Sequence, residues 1–273
     1  FALRDARSTG ELLLVHNSQL VAWDWQKQGE EGNGVRVLKT SEVLPEGSLP
    51  AGGVGIPTHV SFDGTDDGLI FACHLLPPWQ PGLSACLNRP TRLYHLTNLR
   101  ASGSSKEQPT GGAEADAATS KREPARCLTP SLYFAHMPRL SPDASTLAFA
   151  ARPDPFGSHS TVVELRTMGW DAKSTNTDEA AVSSSVLVPI MREMPSTTDG
   201  SSFAGLCGFH DELATLTWLD STTLIFHSIA GSTKSIFTVK AGTSGPYDGS
   251  MMVLRPPGWE SGGCVELLGA SSG

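Results

Sequence analysis

Long apolar runs are missing from this 273-residue chain. None approaches the ~20 consecutive apolar residues that a bilayer-spanning helix needs, so no membrane partner is expected. Basic clusters are missing too. Twenty Lys and Arg stand against 28 Asp and Glu, giving a formal charge of −8. The basic pair Lys121-Arg122 is too small to offset that balance against a phosphate backbone, and nucleic acid is excluded as a partner. Cysteine is sparse and odd in number: Cys73, Cys86, Cys127, Cys207 and Cys264 are widely spread, with no C-x-x-C. That excludes a zinc ribbon and a disulfide framework, and reads as buried free thiols in a reducing, cytoplasmic compartment. No metal or cofactor is expected. The opening, "FALRDARSTG", has neither Met nor the pattern of a secretory leader. A first residue of Phe reads as a fragment of a longer polypeptide.

Helical patterning is also scarce. Short runs of Val, Leu, Ile and Phe sit between Gly, Pro, Ser and Asp clusters, the mark of many short strands. Three stretches repeat: "HVSFDGTDDGLIFAC" from His59, "PRLSPDASTLAFAA" from Pro138 and "LTWLDSTTLIFHS" from Leu216. Each reads as a strand, a turn built on Asp63, Asp143 or Asp220, and a second strand carrying Leu-x-Phe. The Asp and Ser side chains of such turns bond nearby backbone N–H groups, and Pro142 presets φ for a turn corner. Leu and Phe two apart share one strand face. A third element follows each unit: Leu93–Leu96, Val162–Leu165 and Ile236–Val239, with an earlier copy at Leu20–Trp23. Fourth strands are expected at Val35–Leu38, near Cys127–Thr129, at Val186–Val188 and near Val265–Leu268.

Four strands per repeat with Asp turns predict an all-β partial propeller of about three and a half four-stranded blades. The expected units are the tail of a preceding blade over 11–45 and blades over 56–130, 131–195 and 205–273. Their interval exceeds the ~40–50 residues of common propeller repeats, and insertions account for the excess. Residues 100–126 contain almost no large apolar side chain, and 171–185 and the stretch from Pro195 are similar. Such segments cannot bury enough surface to order themselves.

Gly269-Ala270-Ser271-Ser272-Gly273 fits the Gly-x-Ser-x-Gly pattern of a nucleophile elbow. An elbow needs a helix after the Ser, with an acid and a His downstream, and no residue here follows Gly273. With 28 glycines in the chain, roughly 0.3 chance matches are expected. Ser271 therefore reads as a strand-end serine. Trp23-Asp24 and Trp170-Asp171 lack the spacing and the Gly-His partner of WD40 blades. His210-Asp211-Glu212 reads as a solvated loop, because adjacent residues do not converge on one point. Cys73-His74 has no second pair for zinc. His59, His95, His136, His159 and His227 recur near strands as half-buried histidines, while Arg139 and Arg152 suit either a carboxylate ligand or blade-surface salt bridges. No catalytic, cofactor-binding or metal residue is assigned.

"FACHLLPPWQPGLSACLNRPTRLYHLTNL", "PRLSPDASTLAFAA" and the run from "FAGLCGF" to "SIFTVKAGTSG" resemble the propeller of acylaminoacyl-peptidases, in the prolyl oligopeptidase family of serine peptidases. Segment order matches over roughly Leu12 to Gly273. The Ser-Pro-Asp turn is shared with TolB-like and dipeptidyl-peptidase propellers, whereas the Pro-rich excursion before Asn88-Arg89-Pro90 is more specific.

The resemblance implies a C-terminal α/β-hydrolase domain that holds the Ser, Asp and His, is absent from this chain, and acts on short N-acylated peptides. In that design the propeller gates substrate access and does no chemistry. Three and a half blades do not close the roughly seven- or eight-blade ring of the family, so missing blades and the hydrolase domain are the expected partners, with a homo-oligomer also possible. Two other readings stay open: a stand-alone interaction propeller, and the propeller of a related dipeptidyl- or oligopeptidase.

Overall fold

The computed structural model describes residues 2–3, 11–16, 19–24, 35–65, 67–78, 90–99, 123–153, 162–174, 183–190, 209–210, 216–230, 233–242, 251–254 and 267. Within them the chain forms four successive antiparallel meanders. The first holds β1 (Ala2–Leu3), β2 (Glu11–His16), β3 (Gln19–Asp24) and β4 (Val35–Leu38). A single helical turn, α1 (Thr40–Val43), leads to β5 (Val54–Phe62), β6 (Leu69–Leu76), β7 (Thr91–Leu96) and β8 (Arg126–Cys127). The third meander is β9 (Phe134–Leu140), β10 (Thr146–Arg152), β11 (Val162–Gly169) and β12 (Ser185–Val188), with β13 (Phe209–His210) on the other end of β11. The last is β14 (Thr217–Trp218), β15 (Thr223–Ala230), β16 (Thr233–Lys240) and β17 (Met251–Leu254). None of these sheets closes on itself, and the architecture is that of a partial propeller.

All three Asp turns form as the side chains dictate. Asp63 Oδ1 accepts from the Thr65 amide and hydroxyl at 2.8 and 2.7 Å. Asp143 Oδ1 accepts from the Ser145 amide at 3.2 Å and hydroxyl at 2.9 Å, and Asp220 Oδ1 from the Thr222 amide at 2.7 Å and hydroxyl at 2.8 Å. One i→i+2 motif thus makes the first hairpin of three blades. Gly64 takes φ +88° after Asp63, and Ala144 holds φ +55° after Asp143, a region an L side chain rarely adopts.

The expected third strands fall within β3, β7, β11 and β16. Four details differ. The first meander has a strand upstream of residue 11, at Ala2–Leu3. The strand that pairs with β16 is Met251–Leu254, opposite Ile236–Val239, and Val265, Glu266 and Leu268 of the expected fourth strand lie outside the described residues. Residues 123–126 are ordered although composition assigns them to an insertion. Ala125 is buried and its amide donates to the Val43 carbonyl at 2.7 Å, so tertiary contact overrides a polar neighbourhood. Ser185, assigned to the second insertion, begins β12. Residues 100–122 and 175–182 lie outside the described residues.

The core sits between the sheets. Phe71, on β6, packs with Leu20, Ala22 and Leu38 of the preceding sheet. Phe149, on β10, packs with Ile70, Ala72 and Leu93. Phe226, on β15, packs with Ala148, Ala150 and Leu165. The three rings are fully buried and occupy the same place in successive sheets. Small residues of one blade (Ala72, Ala148, Ala150) receive the large ring of the next, which fills each interface at interior density. Phe149→Ala should therefore lower unfolding free energy by about 3–5 kcal/mol through a cavity, and Ala150→Leu by about 1–3 kcal/mol through overpacking. Urea unfolding measures both. A Phe149→Ala loss under about 1 kcal/mol would mean that the ring does not hold two blades together.

Candidate functional site

First strands of neighbouring blades approach one another, β5 beside β9 and β9 beside β14. They are the inner strands of the radial arrangement, and two of them are bulged. Pairing of β5 with β6 shifts between Pro57 and Val60. Pairing of β9 with β10 shifts opposite the stretch from His136 to Arg139, where Met137 adopts φ +54°. Bulges re-aim side chains and are frequent beside functional sites.

At these bulges polar side chains meet. The His59 and His136 rings lie 5.5 Å apart, edge to face, and Phe134 lies 4.5 Å from His136. Burial, then His136 and Arg139, lower the His59 pKa to about 3, so its imidazole is neutral at physiological pH. Thr58 Oγ1 and His59 Nδ1 are shielded from solvent and have no hydrogen-bond partner among the described residues. Arg139 is half-buried. Its Nε donates to the Leu216 carbonyl and its Nη1 to the Pro138 carbonyl, both at 2.9 Å. Burial holds its pKa below the usual arginine value. The bonds that Arg139 makes to described residues go to carbonyls.

A second polar group clasps two blades. His95 Nε2 lies 2.8 Å from Asp63 Oδ2, both side chains being buried. The Trp170 indole N–H, from the following blade, donates to the Asp63 carbonyl at 2.8 Å, and its ring meets His95 edge-on at 4.9 Å. Gly68 is required here, since a Cβ at that position would collide with the Asp63 carboxylate. Trp218 repeats the device one blade on, donating to the Arg139 carbonyl at 2.9 Å.

The remaining motif residues are not brought together. Cys73 is buried, and burial raises its thiol pKa to about 12, which makes it unreactive. His74 Nδ1 lies 2.6 Å from Thr91 Oγ1. His227 Nδ1 accepts from the Leu267 amide at 3.1 Å, fixing the tautomer protonated at Nε2. Arg152 is buried. His210 lies in β13, paired with Val162, and not in a free loop. His159, Asp211, Glu212 and Ser271 lie outside the described residues. Among the described residues no group of three His, Cys, Asp or Glu side chains could hold a metal ion, and no helix is long and apolar enough to cross a membrane.

A family model described as "Acylamino-acid-releasing enzyme, N-terminal domain" matches residues 50–246, well over half of the chain. The chain belongs to this family. No curated protein sequence matches it. Among solved structures, the chain is similar to a puromycin-hydrolyzing peptidase from Mycobacterium tuberculosis, at 15% identity and a TM-score of 0.50, covering 93% of this chain and 28% of that one. It is also similar to a putative TolB from Agrobacterium tumefaciens, at 12% identity and a TM-score of 0.47, covering 90% of this chain and 57% of that one. The chain thus spans less than two thirds of either structure's length. For an acylamino-acid-releasing N-terminal domain the Asp63 clasp is a structural part.

Burial pushes the Asp63 carboxyl up, but hydrogen bonds from His95 and Thr65 prevail and hold it below the ordinary aspartate value. A depressed pKa contributes stability that is present above the unfolded value of ~3.9 and is lost as pH falls through the folded one. Asp63→Asn should lower stability at neutral pH by about 1–3 kcal/mol, with the gap to wild type closing as pH falls below ~4. Thermal melts across pH measure this. A gap that stayed constant into acid would contradict it.

Proposed function

We propose that this chain is the access-controlling propeller of an enzyme that releases an N-acylated residue from the N-terminus of a short peptide. The observation that supports the reading most is the family match over residues 50–246. Three apolar clusters, one at each inter-sheet interface between Leu20 and Val239, support a rigid cover in place of a hinge. In this reading, catalysis belongs to a Ser-His-Asp hydrolase domain on the same polypeptide, which forms an acyl-enzyme with the scissile carbonyl held in an oxyanion hole. Further blades complete the ring, and the cytoplasm is the compartment.

The proposal has a physical logic. In this reading a radial stack of sheets locked by Phe149 and Phe226, once completed by further blades, encloses a narrow passage along its first strands. A folded protein does not pass such a passage, but an extended peptide does. Selection is then steric, and the cover adds no chemistry to the step it encloses.

The test uses the longest natural polypeptide that carries this chain. It is expected to hydrolyse acetyl-alanyl chromogenic substrates and acetylated peptides, and to leave acetylated folded proteins intact. Release of product only from free-amino dipeptide substrates would replace acylamino-acid release with dipeptidyl specificity. No hydrolysis of either would favour an interaction propeller. Ser271→Ala should leave the acetyl-alanyl rate within about twofold of wild type, because in this reading the nucleophile belongs to the hydrolase domain. A loss of a thousandfold would make Ser271 a nucleophile.

A further inference from the structure

We propose that His227 and Leu267 form an acid-released latch, which ties the chain at Leu267 to the last sheet at neutral pH and lets it go as the medium acidifies. The proposal stands apart from the acylamino-acid-releasing reading, since it concerns how the chain is held and not what is hydrolysed. Its starting point is a break in the repeat. Counted from the Leu-x-Phe units, Ala72 of β6, Ala150 of β10 and His227 of β15 are equivalent, each following a buried Phe. The two alanines lie in the slot that takes the Phe ring of the next sheet. In β15 the same slot holds an imidazole that is only 3% exposed.

What meets His227 is a backbone group. The Leu267 amide donates to its Nδ1 at 3.1 Å, from 40 residues further along the chain. Leu267 is itself buried. A ring set against alanine is indifferent to pH, because neither side titrates. A backbone amide set on an imidazole is not.

Nδ1 accepts only while it carries no proton, and an imidazolium is a donor at both nitrogens. Protonation in place therefore sets two N–H groups against each other and leaves a charge withheld from water. Neither cost arises once Leu267 moves off and the ring is exposed, so acid selects the released form. An exposed imidazole protonates near ~6.5. The contact is complete above that value. Below it, each fall of one pH unit favours release by about tenfold, since the released form is the one that takes up the proton.

The described surroundings of His227 work in the same direction. Ile225 and Ile229 share its face of β15, and the antiparallel register puts Lys234 and Lys240 of β16 and Met252 and Leu254 of β17 on that face too. β14 brings Thr217, opposite Ile225, and β13, which approaches β15, brings His210. The fixed charges in this set are the two lysines, and both disfavour a further positive charge on the ring.

The experiment measures deuterium uptake, corrected for the intrinsic pH dependence of exchange, in the longest natural polypeptide carrying this chain. Between about pH 7.5 and pH 5 the peptide that contains Leu267 is expected to lose protection at least about tenfold, while peptides from β15 and β16 keep theirs. Constant protection at Leu267 would overturn the latch. So would a parallel loss across β15 and β16, which would make the change global. His227→Asn places an acceptor that does not titrate at the same δ position, and its protection at Leu267 should not vary with pH. A fall as large as that of wild type would assign the effect to another group and sink the proposal. Should His227→Asn not fold, Leu267→Pro decides, because it removes the donor and leaves the histidine in place. Its neighbouring amides should already exchange at about pH 7.5 as those of wild type do at about pH 5. A loss of protection with acid as large as that of wild type would count against the latch equally. Hydrolytic activity enters none of these readings, so failure of the latch and failure of the enzymatic reading are told apart.

Discussion

Everything in this structure depends on one packing constraint: the central sheets must be apolar on both faces, with the Phe ring of one sheet set against alanines of the sheet before it. On β6, Leu69, Phe71 and Cys73 face the preceding sheet while Ile70 and Ala72 face the next. On β10, Leu147, Phe149 and Ala151 face back while Ala148 and Ala150 face forward. A sheet with two buried faces gains about 25 cal/mol per Å² of apolar surface on each, but only where the neighbour supplies the complementary relief. The stacking is therefore directional. Blades cannot be shuffled, and each one is specified by the blade before it.

Hydrogen bonds add register to that packing. Apolar faces alone let two sheets slide, since dispersion contacts have no strong directional preference. Trp170 and Trp218 remove this freedom. Each sends its indole N–H to a carbonyl of the preceding blade, Asp63 and Arg139 respectively. Both carbonyls lie at the Asp-turn end of a first strand, so the same bonds that lock neighbouring blades also fix the inner strands.

How far the sequence revealed the fold follows from the same physics. Asp turns and double-faced strands are written in local chemistry, so Asp63, Asp143 and Asp220 and the Leu-x-Phe units could be read directly. Fourth strands were less legible, because an edge strand is defined by its partner and not by its own composition. Met251–Leu254 and Val265–Leu268 have similar apolar content, and it is pairing that identifies Met251–Leu254 as the partner of β16. Ala125 was hidden for a related reason: nothing local marks it as buried, and the contact with Val43 is distant in sequence. The resemblance to acylaminoacyl-peptidases rested on longer segments and agrees with the family match.

The inner cluster lay at the limit of what residues alone can say. His59, His136 and Arg139 were visible as residue types with a choice of roles, and alternation along a regular strand would have sent Thr58 and His59 to opposite faces. The bulges in β5 and β9 break that alternation, and no local signal announces a bulge in "IPTHVSF" or "FAHMPRL". A proline beside each bulge, Pro57 and Pro138, is the nearest thing to one, since proline within a strand is confined to edges and irregularities. β5 is an edge strand, and the parallel pairing of β9 with β7 is confined to Phe134 and Thr91, so neither proline takes a ladder N–H from a further strand. Where a propeller places proline and a bulge on its inner strands, it exchanges ladder hydrogen bonds for freedom to aim side chains inward.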